Sequence, residues 1–320
     1  MSQGIVGCPD ILDRYLQTPS KSDAWKIVFL HKKVYGIDGC MGCLDVTKIH
    51  WGACPVAWKG QFEGKEGFPT IGLEAVSDYN LWIWHNAFGF PGSLNDINIC
   101  DRSPLLESMM DGSHDAIDFS FNIDGQKFDQ LYYLVDGIYP SLSRFLATVN
   151  DPTTALDCFY APKQEGWRKS IERAFGVLKK KFLSIGTKSV LYHREDMFYL
   201  VTATIVMHNM MVKEQIDDEE VEDGSFYDTT MDANSNEEDE QVTEEVSDRD
   251  DVEYSGYDQN IMDRRHKAQL VHKKWEELYD NVGSKKLKDA MKRHLYKNKF
   301  GVEAFQSSHT VMKDYNHRSF

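Results

Sequence analysis

No stretch of the 320-residue sequence approaches the ~18 consecutive apolar residues that cross a bilayer. Met1–Asp13 also lacks the basic-then-apolar order of a secretion signal, so no membrane partner is expected. Cysteine is scarce. Six residues, unevenly spaced, do not make a disulfide scaffold and point to a reducing, intracellular compartment. No internal repeat is present, which excludes solenoids and propellers. Positive charge is in deficit, with 36 Lys and Arg against 51 Asp and Glu. A wholly disordered chain is excluded by what is plentiful, since 41% hydrophobic and 12% aromatic residues suffice for a core.

The deficit is local. Between Asp217 and Glu253 lie 18 of the acidic residues and one basic residue, Arg249. Such a stretch, poor in large apolar side chains, cannot bury enough surface to offset its ordering entropy, so 217–255 is expected to be disordered. Four parts follow: a helical lead-in over 1–40, a core over 41–216, the acidic segment over 217–255 and a basic helical tail over 256–320. The core is near neutral, and the tail carries a lysine-rich helix over 284–299 after a first helix over 264–281.

Within the core, Ser22 is expected to cap a helix running to Val34, with Trp25, Ile27, Val28 and Phe29 as its apolar positions and Gly36 after its end. GCMGCLDVT reads as a strand closed by Asp45. TIGLEAVS and NLWIWHNAFGF read as two further strands joined by a turn at Asp78-Tyr79-Asn80. PGSLND marks a turn and a helix N-cap, with a second helix near Leu105–Met110. LYYLVDG has the apolar run of a buried strand ending in Asp136. A loop containing Pro152 and Pro162 then leads into a helix over 168–182, and 194–215 forms a long buried helix. Three strands, a connection, another strand and two long helices make a mixed α/β layer architecture.

Three acids sit at the ends or edges of these buried elements: Asp45, Asp136 and Glu172. Unpaired carboxylates are expensive to bury, so they pair with cations or bind metal. Hard oxygen ligands with little His or Cys support suit Mg²⁺ or Mn²⁺ over Zn²⁺, and two such ions about 4 Å apart promote phosphodiester chemistry. On composition alone, salt bridges and helix caps explain three acids among 51 equally well.

The blocks GCLDVTKIHWGACPVAWKGQF, PTIGLEAVSDYNLWIWHNAFGFPGSLNDINI, YYLVDGIYP, RKSIERAFGVLKKKF and IVMHNMMVKE together resemble the Harbinger-type (PIF/Harbinger) transposases, in their plant-transposon-protein branch. They occur in the family's order over roughly residues 10–215. The resemblance implies a ribonuclease-H-like mixed sheet flanked by helices and a DDE nuclease. Asp45, Asp136 and Glu172 then become its catalytic, metal-holding triad for two Mg²⁺ or Mn²⁺ ions. Thirty-five residues separate Asp136 from Glu172, a spacing of DDE enzymes. The family also implies DNA as partner, a separate Myb/SANT-like DNA-binding protein and a nuclear location. Family members carry a longer N-terminal region than the roughly 40 residues before Asp45, which implies a fragment or a lost DNA-recognition part.

Other residues have two readings each. Cys40, Cys43, His50 and Cys54 have the spacing C-x2-C-x6-H-x3-C, which fits no standard zinc finger, and the thiols read as small buried side chains. His50 makes a structural hydrogen bond or approaches the phosphate. Asn95 and Asp96 cap a helix or assist near the metals. Arg168, one helical turn before Glu172, pairs with that carboxylate or contacts phosphate. Arg173, Lys179, Lys180 and Lys181 are a solvated face or neutralise DNA backbone. His208 and Asn209 read as a satisfied core pair. The rival to a nuclease is a domesticated, non-catalytic relative that binds DNA or chromatin proteins. Glycoside hydrolysis has only generic acids behind it.

Overall fold

The computed structural model describes residues 7–223, 269 and 271–301. A short helix α1, Pro9–Tyr15, precedes α2, Lys21–Tyr35. The latter starts at Ser20, not Ser22. Ser20 and Asp23 close a reciprocal capping box, which satisfies two otherwise free N-terminal donors, and Gly36 ends the helix at a left-handed φ of 72°. Its buried face is Ala24, Ile27, Val28 and His31, while Trp25 and Phe29 are half exposed. Trp25 instead stacks on Phe119 with ring centroids 3.8 Å apart.

Strand β1, Cys40–His50, is followed by β2, Thr70–Ser77, and β3, Ile83–Pro91. Helices α3, Asp96–Cys100, and α4, Pro104–Asp111, come next, then a hairpin of β4, Phe121–Ile123, and β5, Gln126–Phe128. Asp124 and Gly125 make its turn at φ 50° and 74°, the doubly left-handed geometry of a two-residue hairpin loop. Strands β6, Tyr132–Val135, and β7, Phe145–Ala147, complete the sheet. Helix α5 spans Ala155–Lys181, α6 spans Arg194–Asp223 and α7 spans Asn281–Phe300, with a further helix over 271–278 before it.

The five-stranded sheet has the order β3-β2-β1-β6-β7. The first three strands are antiparallel, and β6 and β7 run parallel to β1. This is the mixed sheet expected of a ribonuclease-H-like core. Strands β2 and β6 are buried along their whole length. Gly42 lies where β1 bulges between its two contacts with β6. At its φ of +131° a Cβ would meet the Ser77 carbonyl at 2.6 Å, so only glycine fits.

Several expectations are corrected here. Asp45 does not close β1; five more residues follow it, because Val46–His50 keep pairing with β2. Pro162 does not lie in a loop before the helix expected over 168–182. Helix α5 begins 13 residues earlier than position 168 and contains Pro162, helped by Thr154, whose hydroxyl caps the Asp157 N–H. The first seven residues of the acidic segment are helical, because α6 runs on to Asp223; positions 224–255 lie outside the described residues. Of the tail, 256–268, 270 and 302–320 also lie outside them.

Helix α7 is no detached tail. It lies against α5, β4 and β7, and its Leu287, Ala290, Met291 and Leu295 join the central core. Lys292 Nζ sits 2.6 Å from Asp157 Oδ1 at the start of α5. Arg293 and Lys297 both pair with Asp124 in the hairpin turn, at 2.7 and 2.6 Å. Among the described residues no helix is long and apolar enough to cross a membrane.

Candidate active site

Strand alternation decides which β1 side chains meet helix α5. Cys43 Sγ accepts from Ser170 Oγ at 3.1 Å, Asp45 Oδ2 accepts from Arg168 at 3.2 Å, and Thr47 Oγ1 is 2.6 Å from Lys179 Nζ. The odd positions of β1 therefore face the helix. On α5, Arg168, Glu172 and Lys179 are four and seven residues apart, which at 3.6 residues per turn places them along one stripe. The strand period and the helix period intersect at Asp45.

Arg168 joins the two elements. Its Nη1 reaches Asp45, and its Nη2 reaches Glu172 Oε1 at 2.9 Å, so one guanidinium spans both carboxylates. The Asp45 and Arg168 side chains are mostly covered, whereas Glu172 is about half exposed. The other oxygen of Asp45, Oδ1, accepts the Val46 N–H at 2.9 Å.

Asp136 follows β6 directly, with its Oδ1 taking the Gly137 N–H. The parallel register pairs Cys43 with Leu134, so Asp136 leaves the end of β6 on the side of β1 that carries Asp45, and its charge acts on Asp45. Asp96, in the first turn of α3, completes the acidic group. Burial pushes Asp45 up to about 6; the Val46 N–H and Arg168 oppose the shift, and the negative charges of Asp96 and Asp136 add to it. Asp96 is also raised, first by burial, with Lys48 and Lys65 opposing and Asp136 adding. These carboxylates therefore make one negatively charged neighbourhood around Asp45.

Asp45, Asp136, Glu172 and Asp96 offer only carboxylate oxygens, the donor type that Mg²⁺ and Mn²⁺ prefer, and their crowding leaves negative charge in excess over Arg168. In that chemical sense the residues fit a hard divalent cation. Among the described residues, however, no three His, Cys, Asp or Glu side chains are grouped to hold an ion together. Their oxygens are turned to N–H partners at Val46, Gly137 and Arg168.

The remaining candidates divide. Asn95 is an N-cap, its Oδ1 accepting the Asn98 N–H at 2.8 Å. His50 does not join the acids. It lies on the opposite parity of β1, its ring centroid 4.1 Å from that of Phe68, and burial and Lys188 lower its pKa. Arg173, Lys180 and Lys181 are exposed. Lys179 turns inward to Thr47 and the Lys48 carbonyl, and burial lowers its pKa. The thiols of Cys40 and Cys43 are buried, and burial pushes Cys43 up to about 12. His208 and Asn209 bind backbone: His208 the Leu81 carbonyl, Asn209 those of Tyr15 and Ile83.

Two neighbours were not anticipated from the sequence. Tyr139, three residues beyond Asp136, is buried, and its hydroxyl has no partner among the described residues. Burial raises it, and the charges of Asp45, Glu74 and Asp96 raise it further, while the Tyr139 N–H bonds the Asp136 carbonyl at 3.1 Å. Glu74 lies opposite Val46, hence on the other face of the sheet from Asp45; it is fully buried and bonded to Ser103 Oγ and to His85 at 3.2 Å. Its signal was visible as the lone charge in TIGLEAVS.

The family model of the plant transposon protein matches residues 13–219, which contain every acid described above. No curated protein and no solved structure matches the chain.

Proposed function

The chain belongs to the plant transposon protein family, and from that premise we propose that it is a Harbinger-type DDE nuclease that cuts DNA with divalent metal. A transposase-related role follows from the family; the chemistry is our reading. The observation that supports it is the meeting of Asp45 and Glu172 on one guanidinium, with Asp136 following the strand that neighbours β1. Asp45, Asp136 and Glu172 would hold two Mg²⁺ or Mn²⁺ ions. When bound, these supply the Lewis acidity that activates a water or a 3′ hydroxyl and offsets charge on the phosphodiester.

The protein's own groups do the rest. Strands β1 and β6 fix two carboxylates on a sheet that cannot shift without breaking its ladder. Helix α5 carries the third together with Lys179, and its exposed Arg173, Lys180 and Lys181 offer positive charge to the DNA backbone. The Asp96 carboxylate adds negative charge at the same place. The near-neutral core suits a DNA partner delivered by a separate Myb/SANT-like protein in the nucleus.

The test is strand cleavage of terminal-repeat DNA by purified protein with that partner, in Mg²⁺ or Mn²⁺ and in EDTA. Cleavage that needs the ion and falls by several orders of magnitude in Asp136→Asn is the expected result. Equal cleavage by wild type and Asp136→Asn would place the activity elsewhere. Robust binding to DNA or chromatin proteins with no cleavage by either would leave the domesticated, non-catalytic reading.

A further inference from the structure

We infer that Arg168 is an internal counter-cation that competes with the divalent ion, so that the site must release this side chain before it can bind metal. The inference rests on the metal-dependent reading above and adds a regulatory element to it. Arg168 is placed by its own helix. At position i to Glu172 at i+4 it lies on the same face, and the planar guanidinium directs a second nitrogen to Asp45 across the gap between helix and strand. One oxygen of each carboxylate is thereby used, and the second oxygen of Asp45 is held by the Val46 N–H.

Three physical features make this contact a barrier and not a passing surface pair. The arginine and Asp45 side chains are only 16% and 17% exposed, so salt screens their attraction less than it would a surface pair. Arginine does not lose its proton in a protein, so the contact cannot be relieved by titrating the cation. Asp45 also lies among Asp96 and Asp136, whose charges favour keeping some cation in the group. A guanidinium meets that need with one charge, and a divalent ion meets it with two. Exchange of one for the other is then the first event of activation. A site whose carboxylates are free about a tenth of the time binds its ion about tenfold more weakly than an open one.

The experiment measures Mn²⁺ binding without DNA, by electron paramagnetic resonance of free Mn²⁺, on the full-length protein and on Arg168→Gln, Arg168→Lys and Lys169→Gln. Lys169 is exposed and adjacent, so its removal takes away the same charge without freeing either carboxylate. Arg168→Gln is expected to bind Mn²⁺ about tenfold more tightly than wild type. Arg168→Lys should fall between them, since an ammonium cannot fork to both acids. Lys169→Gln should stay close to wild type. The rise in melting temperature on adding Mn²⁺ should follow the same order, which reads the effect independently of catalysis. If Arg168→Gln fails to fold, Arg168→Lys decides the matter alone. Unchanged or weaker Mn²⁺ affinity in the folded Arg168 variants overturns the inference, as does an equal gain in Lys169→Gln, while leaving the metal-dependent reading intact. No Mn²⁺ binding by any of the four proteins overturns both.

Discussion

Lys292 Nζ lies 2.6 Å from Asp157 Oδ1, and this pair ties the last described helix to the first turn of the helix that carries Glu172. The contact lies beside a larger apolar one, since Leu287, Ala290 and Met291 are buried in the same core as the sheet. Removing residues 281–320 should therefore destabilise the domain and not merely trim it. Met291→Ala is expected to cost about 2–4 kcal/mol in urea unfolding, from lost burial and the cavity left behind. A truncated protein that melts at the wild-type temperature would show that α7 contributes nothing to the fold.

Lys292 also sets an acid limit at Asp157. Burial works to raise this carboxyl, but the hydrogen bonds from Lys292 and Thr154 prevail and hold it below its usual value. A carboxylate depressed in the folded state adds stability that is full above its unfolded value, near 4, and is lost as pH falls through the folded one. Asp157→Asn should remove that part of the pH dependence, and unfolding curves at pH 3 and pH 6 should lie closer together than in wild type.

Asp45 has the opposite sign. Its folded pKa of about 6 lies above the ordinary 3.8, so the folded state binds a proton more readily than the unfolded state. Stability therefore declines between about pH 4 and pH 6 and stays reduced above. Asp45→Asn, which keeps the shape but drops the charge, should stabilise the metal-free protein by about 1–2 kcal/mol at pH 7.5, with little effect at pH 4. The same substitution abolishes cleavage under the nuclease reading. Thermal melts in EDTA at both pH values check the first half, and a destabilised mutant at pH 7.5 would contradict it.

Two buried histidines predict a second acid-sensitive range. Burial lowers His31 to about 4, against the Cys40 and Ile27 carbonyls that favour its charged form. His114 is lowered to about 3 by burial and then by Arg144, with Asp115 opposing. Both are held neutral in the folded state, so their stabilising effect is full above about 6.5 and drains away as pH falls toward 4. His31→Gln should flatten this slope, and the difference at pH 5 is expected to be about 2 kcal/mol. Urea unfolding between pH 4 and pH 7 provides the measurement.

Lys180 tests the DNA face. It is exposed on α5, whereas Lys179 is turned inward to the Thr47 hydroxyl and the Lys48 carbonyl. Under the nuclease reading Lys180→Ala should weaken binding to any DNA sequence and reduce the dependence of log affinity on log salt by about one ion. An unchanged salt slope would leave Lys180 as a solvated surface charge.

The local punctuation was legible without a structure. Gly36 ends a helix, Asn95 caps one, the Asp78–Asn80 turn joins two strands, and LYYLVD forms a buried strand. Each follows from dihedral preference or from a run of apolar side chains, and both act over a few residues. Asp45 and Asp136 could be singled out as charges following apolar runs, and Glu172 through the block RKSIERAFGVLKKKF that resembles the family. Where local and tertiary forces disagree, the sequence misleads. Pro162 would break an isolated helix, yet α5 passes through it, because Tyr160, Gln164 and Trp167 are buried on either side. Ser22 was expected to cap α2, but the cap is Ser20, fixed by its reciprocal bonds with Asp23. Strand β7 has three residues, too few for a period, and exists because β6 offers it a ladder. The site is the clearest case. The acids were visible one by one, but their neighbours were set by sheet register and by the stripe of α5. Which cation spans Asp45 and Glu172, and that the charge of Asp96 acts on Asp45 while His50 lies on the other parity of β1, are consequences of chain segments far apart in sequence packing at fixed spacing. Local propensity carries no information about that spacing; only the folded sheet and the helix across it decide it.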